Sequence, residues 1–330
     1  MDEKNIGWII GGALIASAGA YLLVWKFTCI PAEHLRNIIF LVGGITAGII
    51  AAWRAWVADK QTNINDRGQI TERFTRAVEQ LGDDSAYMRM GAIQALRLIG
   101  NDNESHISAV LHLLASFVRE KSPAKKMGEA GYSIPHQEGV TPRNEEDVHA
   151  SFIAKIFDSM PGARRVDYIS GDIQESIVAI GKIGRKYECA LMKMGTMHTD
   201  LSQSDMAYLR RILDCNFSCC IFMQSDIRYA SFILCDFKMA FFNFAELYSV
   251  VFINCDCSTA SFDNAHLNYA TFHHTNIDMA SLKSAFCNGT DFSTAKNLTT
   301  EMLKDIIYDA ETPPIVPDDV QLPPSRKQED

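Results

Sequence analysis

An apolar residue returns at every fifth position from Ile212 to Phe292. The series is Ile212, Phe217, Phe222, Ile227, Phe232, Phe237, Phe242, Leu247, Phe252, Cys257, Phe262, Leu267, Phe272, Ile277, Leu282, Cys287 and Phe292, seventeen positions in phase. Two residues before each, from Cys215 to Thr290, stands a side chain no larger than valine, in sixteen cases out of sixteen. A helix would repeat at 3.6 residues and a half-buried strand at 2, so neither accounts for the pattern. A backbone that turns a corner every five residues does, sending one small and one large side chain inward from each side.

The slot between them holds Asp226, Asp236, Asp256, Asn276 and Asp291. A small residue, an Asp or Asn, a large apolar residue and two variable positions resemble the repeat of the pentapeptide-repeat family. That resemblance implies a right-handed quadrilateral β-helix with four repeats per coil. The fold class expected is therefore α plus β-solenoid, with the solenoid over residues 196–297. Four coils at the roughly 4.8 Å spacing of neighbouring strands would stand about 20 Å tall. Leu201 and Met206 look like an earlier stretch, but six residues separate Met206 from Ile212. One extra residue interrupts the register there, as in a bulge.

Open sheet edges at both ends need covers. The segment Asn297–Ile307, with Met302, Leu303, Ile306 and Ile307 as its stripe, is expected to cap one end as a helix (298–312). A helix over 172–184 leads into the other. The polar, proline-rich tail 313–330 reads as disordered.

The other strong signal lies at the start. Asn5 to Trp25 is a run of twenty-one uncharged residues and Asn37 to Trp53 a run of seventeen. A helix crossing the hydrocarbon core needs about twenty. Trp8, Tyr21, Trp25, Trp53 and Trp56 sit near the ends of these runs, where aromatic belts form. Residues 1–60 are thus expected to form a two-span transmembrane hairpin. A cleaved leader is disfavoured by the start Met1-Asp2-Glu3-Lys4, which is no basic n-region, and by the second apolar run. Arg54, Lys60, Arg67, Arg73 and Arg76 follow the second run, against Lys26 and Arg36 in the loop. This bias favours both termini on the cytoplasmic side of an inner membrane. Gly12, Ala16 and Ala20, with Gly44 and Gly48, form small-residue stripes along which helices pack, within the chain or between copies.

Helical spacing recurs over 69–81, 87–99 and 106–120, within a helical region 61–120. A charged, proline-containing linker spans 121–147, and a helical region 148–195 follows. Met90–Gly100 and Gln174–Gly184 echo one another and resemble the second helix of a HEAT-type repeat, while a small bundle packed against the solenoid is the favoured reading.

Nine cysteines in 330 residues raise the question of disulfides or a metal. Cys215, Cys220, Cys235 and Cys255 fall in the small slot and Cys257 and Cys287 in the large one, so packing explains them. Their spacing matches no zinc site. His266, His273 and His274 fall in outward or edge slots, and no catalytic triad, phosphate loop or carboxylate pair emerges. No cofactor or metal is expected, and a net charge of −9 argues against a nucleic-acid binder. The expectation is a non-enzymatic scaffold, with the lipid bilayer, an unidentified protein and further copies of the chain as partners. Two alternatives are a membrane-acting effector in stress or antiphage defence, assembling through the hairpin, and a DNA-mimicking gyrase inhibitor. The family resemblance implies the latter.

Overall fold

The computed structural model describes residues 15, 18, 19, 32–102, 104–124, 169–186 and 199–325. The chain divides into two units, 1–73 and 74–330.

Unit 1 is dominated by helix α1, Ala32–Leu81, which begins directly after Pro31. Its fifty residues contain no proline, and Gly68 is the sole glycine after Gly48, so nothing breaks it where a join between anchor and helical region was expected near residue 60. Phe40–Thr62 is apolar and long enough to cross a membrane, and its side chains are not buried. Among the described residues it is the one such helix, so the structure supports one candidate span. The first apolar run, with Gly12, Ala16 and Ala20, lies outside the described residues, as do most of the linker and the helix expected near 148–160.

In unit 2 the last turns of α1 bury Ala77 and Leu81. They are joined by α2 (Ala86–Asp102), a 3-10 turn (Glu104–His106), α3 (Ile107–Lys121) and α4 (Gly171–Lys186). Ile93 and Leu96 of α2, Val110 and Leu114 of α3, and Ile173, Ile177, Ile180 and Ile183 of α4 form one apolar core. Gly100 matters here because a Cβ would come within 2.9 Å of Ile183 Cδ1. At the head of α4, Asp172 is 2% exposed and accepts from Arg89 Nε (2.5 Å), the Ser170 hydroxyl and the Ile173 amide. A small bundle is therefore what the helical middle forms.

The solenoid follows. All seventeen large-slot and all sixteen small-slot residues are buried. Strands β1 (Ile212–Leu213), β2 (Ser231–Ile233), β3 (Val251–Ile253) and β4 (Thr271–His273) form a parallel sheet on one side, in order β1-β2-β3-β4. Each coil advances by twenty residues, as in Phe232 opposite Phe252 and Phe252 opposite Phe272. Rings in successive coils stack face to face, as in Phe222–Phe242–Phe262 at 4.9 and 5.0 Å, while rings of adjacent columns meet edge to face.

On the other three sides a turn closes each corner, as where the Cys220 amide donates to Phe217 O at 3.0 Å. The residue before each small slot takes a left-handed φ on all four sides, at sixteen successive positions from Asp214 to Gly289. The Asp or Asn of the repeat has a definite role in this turn. Its Oδ1 accepts the amide two residues on, in Asp226–Arg228, Asp236–Lys238, Asp256–Ser258, Asn276–Asp278 and Asp291–Ser293.

The expected extra residue is present. Asp200 pairs with Ile221 and Asp205 with Asp226, twenty-one residues apart, whereas Ile212 pairs with Phe232, twenty apart. The Ser231 amide still reaches back to Leu209 O, which places the extra residue at Arg210-Arg211. The column thus begins before Ile212, with Leu201 and Met206 fully buried.

Both ends are covered. At the first coil, Pro123 bridges Ser204 antiparallel and the Asp205 amide donates to Ser122 O. Alongside, Gly181 and Gly184 let α4 lie directly on the coil. A Cβ at Gly181 would overlap Cys215 and approach Phe217 Cζ to 2.8 Å, and one at Gly184 would overlap the Asn216 carbonyl. At the far end the expected capping helix is a single turn, α5 (Thr300–Leu303), capped by the Thr299 side chain. Ile307 then bridges Phe286 in parallel and Ile315 bridges Asp291, continuing the column. The tail expected to be disordered is ordered through residue 325, with Val320 buried and the Tyr308 hydroxyl donating to Pro323 O. Ile307 and Ile315 find unpaired strand edges, which the polar composition of the tail did not advertise.

Asp172 supplies the first prediction. Burial alone would raise its pKa, but hydrogen bonds from Ser170 and Arg89, the Arg89 charge and the Ile173 amide hold it below the ordinary value of 3.8. Its contribution is therefore complete above that value and lost as pH falls through the lower folded pKa. Asp172→Asn should lower stability by about 3 kcal/mol at neutral pH. The variant should also lose less than the parent on acidification below pH 4, read by thermal melts across pH.

Candidate interaction surface

With the interior filled by the repeat, chemistry is left to the outward positions. The clearest construction there is a column of tyrosines. Tyr208 stacks on Tyr229 at 5.0 Å, Tyr229 meets Tyr248 edge-on at 5.6 Å, and Tyr248 meets Tyr269 at 5.4 Å. Burial, largest of the causes, pushes the Tyr229 phenol up to about 12 and the Tyr248 phenol in the same direction. One stacked and two edge-on contacts join the four rings into a continuous column.

Gly289 closes this column. It takes a φ of +59°, yet fifteen non-glycine residues from Asp214 to Ser284 do the same at the equivalent corner. What requires glycine is Tyr269, whose Cδ1 and Cε1 would lie 2.8 Å from an added Cβ. The sequence signal for the column is the spacing 208, 229, 248, 269, one tyrosine per coil, which falls outside the small and large slots of the repeat.

Beside the tyrosines runs a second column joined by parallel bridges, Asp205–Asp226–Glu246–His266–Phe286. Its carboxylates are partly compensated. Arg228 clasps Asp226 with two nitrogens, and His266 Nδ1 lies 3.6 Å from Glu246 Oε2 while its ring packs on Phe286 at 4.5 Å. Burial raises the Glu246 pKa despite the opposing pull of His266 and Arg228. His266 is thus a packed member of a column rather than simply solvated. His273 contacts Thr294 Oγ1 and lies 4.2 Å from the His274 ring. Elsewhere Lys238 Nζ bridges Asp236 and Asp256 of successive coils at 2.8 and 3.5 Å.

The cysteines take the slots expected of them. Cys215, Cys235 and Cys255 form an interior column under the strand side, followed by Thr275. No amide closes the turn at Cys235, Cys255 or Thr275 among the described residues. The side chains instead lie near the carbonyls of the preceding coil: Cys235 Sγ to Ile212 O (3.3 Å), Cys255 Sγ to Phe232 O (3.5 Å) and Thr275 Oγ1 to Phe252 O (3.1 Å). The neighbouring Cys235 thiol, and then burial, raise the Cys215 pKa well above the thiol range. Burial lifts Cys220 and Cys287 to about 12. Cys215, Cys220 and Cys287 thus stand as buried, protonated packing groups and weak donors. Among the described residues no group of three or more His, Cys, Asp or Glu side chains is arranged to hold a metal ion.

Of the small-residue positions expected to pack membrane helices, Gly44 and Gly48 lie on α1. A Cβ at either would meet nothing within 4 Å. Their expected partners Gly12, Ala16 and Ala20 are outside the described residues.

Residues 245–283 match the family described as pentapeptide repeats, in eight copies. No curated protein matches the chain. Among solved structures, trypsin-treated QnrB1, a plasmid-mediated fluoroquinolone resistance protein, is 16% identical, with a TM-score of 0.26 over 40% of this chain and 80% of that one. HetL, involved in heterocyst differentiation regulation in the cyanobacterium Nostoc sp., is 20% identical, with a TM-score of 0.18 over 30% and 50%. A pentapeptide repeat protein of the Arabidopsis thaliana thylakoid lumen is 19% identical, with a TM-score of 0.17 over 29% and 63%.

If Gly289 serves Tyr269, then Gly289→Ala should destabilise by about 1–3 kcal/mol through overpacking. Most of that loss should vanish in a Tyr269→Ala background. Equal losses in the two backgrounds, measured by denaturant unfolding, would show that backbone conformation rather than the ring demands the glycine.

Proposed function

We propose that this pentapeptide-repeat chain is a non-enzymatic interaction module, held at the cytoplasmic face of an inner membrane. The observation that carries the reading is the division of labour in the solenoid. The interior is saturated by the repeat, the ends are covered, and the outward side chains lie outside the packed core of the coil. Such a column displays side chains on a fixed grid, about 4.8 Å from coil to coil, a geometry suited to recognising another protein's surface.

The anchoring part of the reading rests on the candidate span Phe40–Thr62 and on the uncharged run Asn5–Trp25 in the sequence. The basic residues that follow the span, Arg67, Arg73 and Arg76, favour a cytoplasmic body. The cysteine-rich interior suits a reducing compartment.

Removing the solenoid altogether is a poor test. It would strip Gly181 and Gly184 of their contact with the first coil and expose the underside of α4. Single outward positions are better reporters. A photo-crosslinking residue placed in living cells at position 208, 244 or 279, which are exposed sites on different sides of the column, should capture a discrete protein from one side and not from the others. Capture of no protein from any side would contradict the module. Anchoring is read separately: the full chain should remain with membranes in alkaline carbonate and a chain lacking residues 1–62 should not. Sedimentation of the shortened chain with membranes would contradict the anchor.

A further inference from the structure

The extra residue at Arg210-Arg211 falls where the solenoid meets α4. Gln174 Nε2 donates to Arg210 O at 3.2 Å, so the bulge is held against the helix. Just beyond it, β1 sends Ile212 inward and leaves Arg211 and Leu213 on the outer side, as strand alternation requires. Leu213 is 49% exposed, and Ile233 stands opposite it in the next coil, followed by Leu234 at 51%. From the helix side, Lys182 Nζ and Arg185 Nη2 converge on Asp214, at 3.2 and 2.9 Å. The Asp214 amide in turn donates to Ile233 O, which ties these residues into one surface.

This patch combines exposed leucines with three cations, Lys182, Arg185 and Arg211, against the single carboxylate of Asp214. Its sign is opposite to that of its surroundings. The segment Asp200–Lys296 carries ten acids and six Lys and Arg, of which Arg210 and Arg211 are two. The whole chain carries −9.

We propose that this patch docks on an anionic phospholipid surface. Leucines enter the boundary between headgroups and acyl chains while adjacent cations meet lipid phosphates. A nucleic-acid site would set its cations among polar or stacking groups rather than beside a leucine pair. The strand side of the first two coils and the last turns of α4 then lie against the bilayer, leaving the tyrosine column to face a partner. This contact goes beyond the anchoring proposed above and does not depend on it, since every residue involved lies outside α1.

The test uses the full chain reconstituted into vesicles of phosphatidylcholine, with or without roughly a third phosphatidylglycerol. p-Benzoylphenylalanine at position 234 reports lipid contact through the mass added on illumination, and the same group at position 264, on another side, is the control. The expected result is lipid capture from position 234 that rises about tenfold with anionic lipid and falls back in Arg185→Glu/Arg211→Glu. Position 264 should capture none. Equal capture in both vesicle types, or none at position 234, overturns the proposal. Capture of an added DNA oligonucleotide in place of lipid also overturns it, in favour of a nucleic-acid site. Carbonate extraction of the same samples reports the α1 anchor independently. A chain that resists extraction yet shows no lipid capture at position 234 disproves the patch and leaves the anchor standing. Thermal unfolding of the double variant, expected to stay cooperative with a small loss from the broken Arg185–Asp214 pair, guards against loss of fold.

Discussion

Every fifth side chain of the solenoid points at one axis, and the rings that meet there hold successive coils at a single spacing. Phe232, Phe252, Phe272 and Phe292 stack at 5.6, 5.1 and 4.9 Å along one column, with edge-on contacts to the columns on either side. Losing one such ring costs about 3–5 kcal/mol in transfer and cavity terms. The same lattice dictates the rest. A small residue must precede each large one by two, or the corner does not close. Where an Asp or Asn stands between them it accepts the amide that the turn leaves free, and the residue before each small slot accepts a left-handed φ. Fifteen non-glycine residues in that conformation would strain an isolated chain, at about 1 kcal/mol or more each. The coil tolerates them because each turn sits over an identical turn.

A column with that interior has only its ends to protect. The chain solves the first end with the exit of α3 and with α4, whose two glycines bring helix backbone onto strand backbone. It solves the second by continuing past the last repeat, so that Ile307 and Ile315 take the places that a further coil would fill. Covered edges keep the parallel strands from pairing with another copy, which an open solenoid invites.

Much of this was legible from residue order alone. The phase from Ile212 to Phe292, the six slot cysteines, the extra residue before Ile212 and the helix 171–186 all follow from spacing, because each is set by local geometry that repeats. The features that were missed depend on contacts between distant segments. The tail 313–325 is polar and proline-rich, yet it is ordered by strand edges that exist only once the last coil has formed. The single-turn α5 was overestimated because Ile306 and Ile307 fit a helical stripe and a strand equally well. The continuity of α1 through residue 60 was missed because a change from apolar to polar composition was read as a break, although no residue there ends a helix. In the surface, the tyrosine column shows in the spacing of Tyr208, Tyr229, Tyr248 and Tyr269, but its purpose at Gly289 needed the ring position. The patch around Leu213 needed α4 beside the bulge, which no local pattern encodes.

Function then resides in what the phase leaves unconstrained. A tyrosine column on one side and a leucine-and-cation patch on another are differentiated by sequence while the coil beneath stays uniform, as expected of a frame built to display surfaces. That frame stands or falls with its phase. The most direct measurement is the thermal stability of two insertion variants of the full chain, one with a single glycine added between Ala270 and Thr271, the other with the coil Ser231–Val250 duplicated. A twenty-residue addition preserves register and should leave the cooperative unfolding of the solenoid intact. The single residue should abolish it, since Ala270-Thr271 lies within the stacked coils, away from the α4 contact that holds the native bulge at Arg210-Arg211 outward, and every later ring would leave the axis. Cooperative unfolding retained by the single-residue variant, or lost by the duplication, would contradict the account at its root.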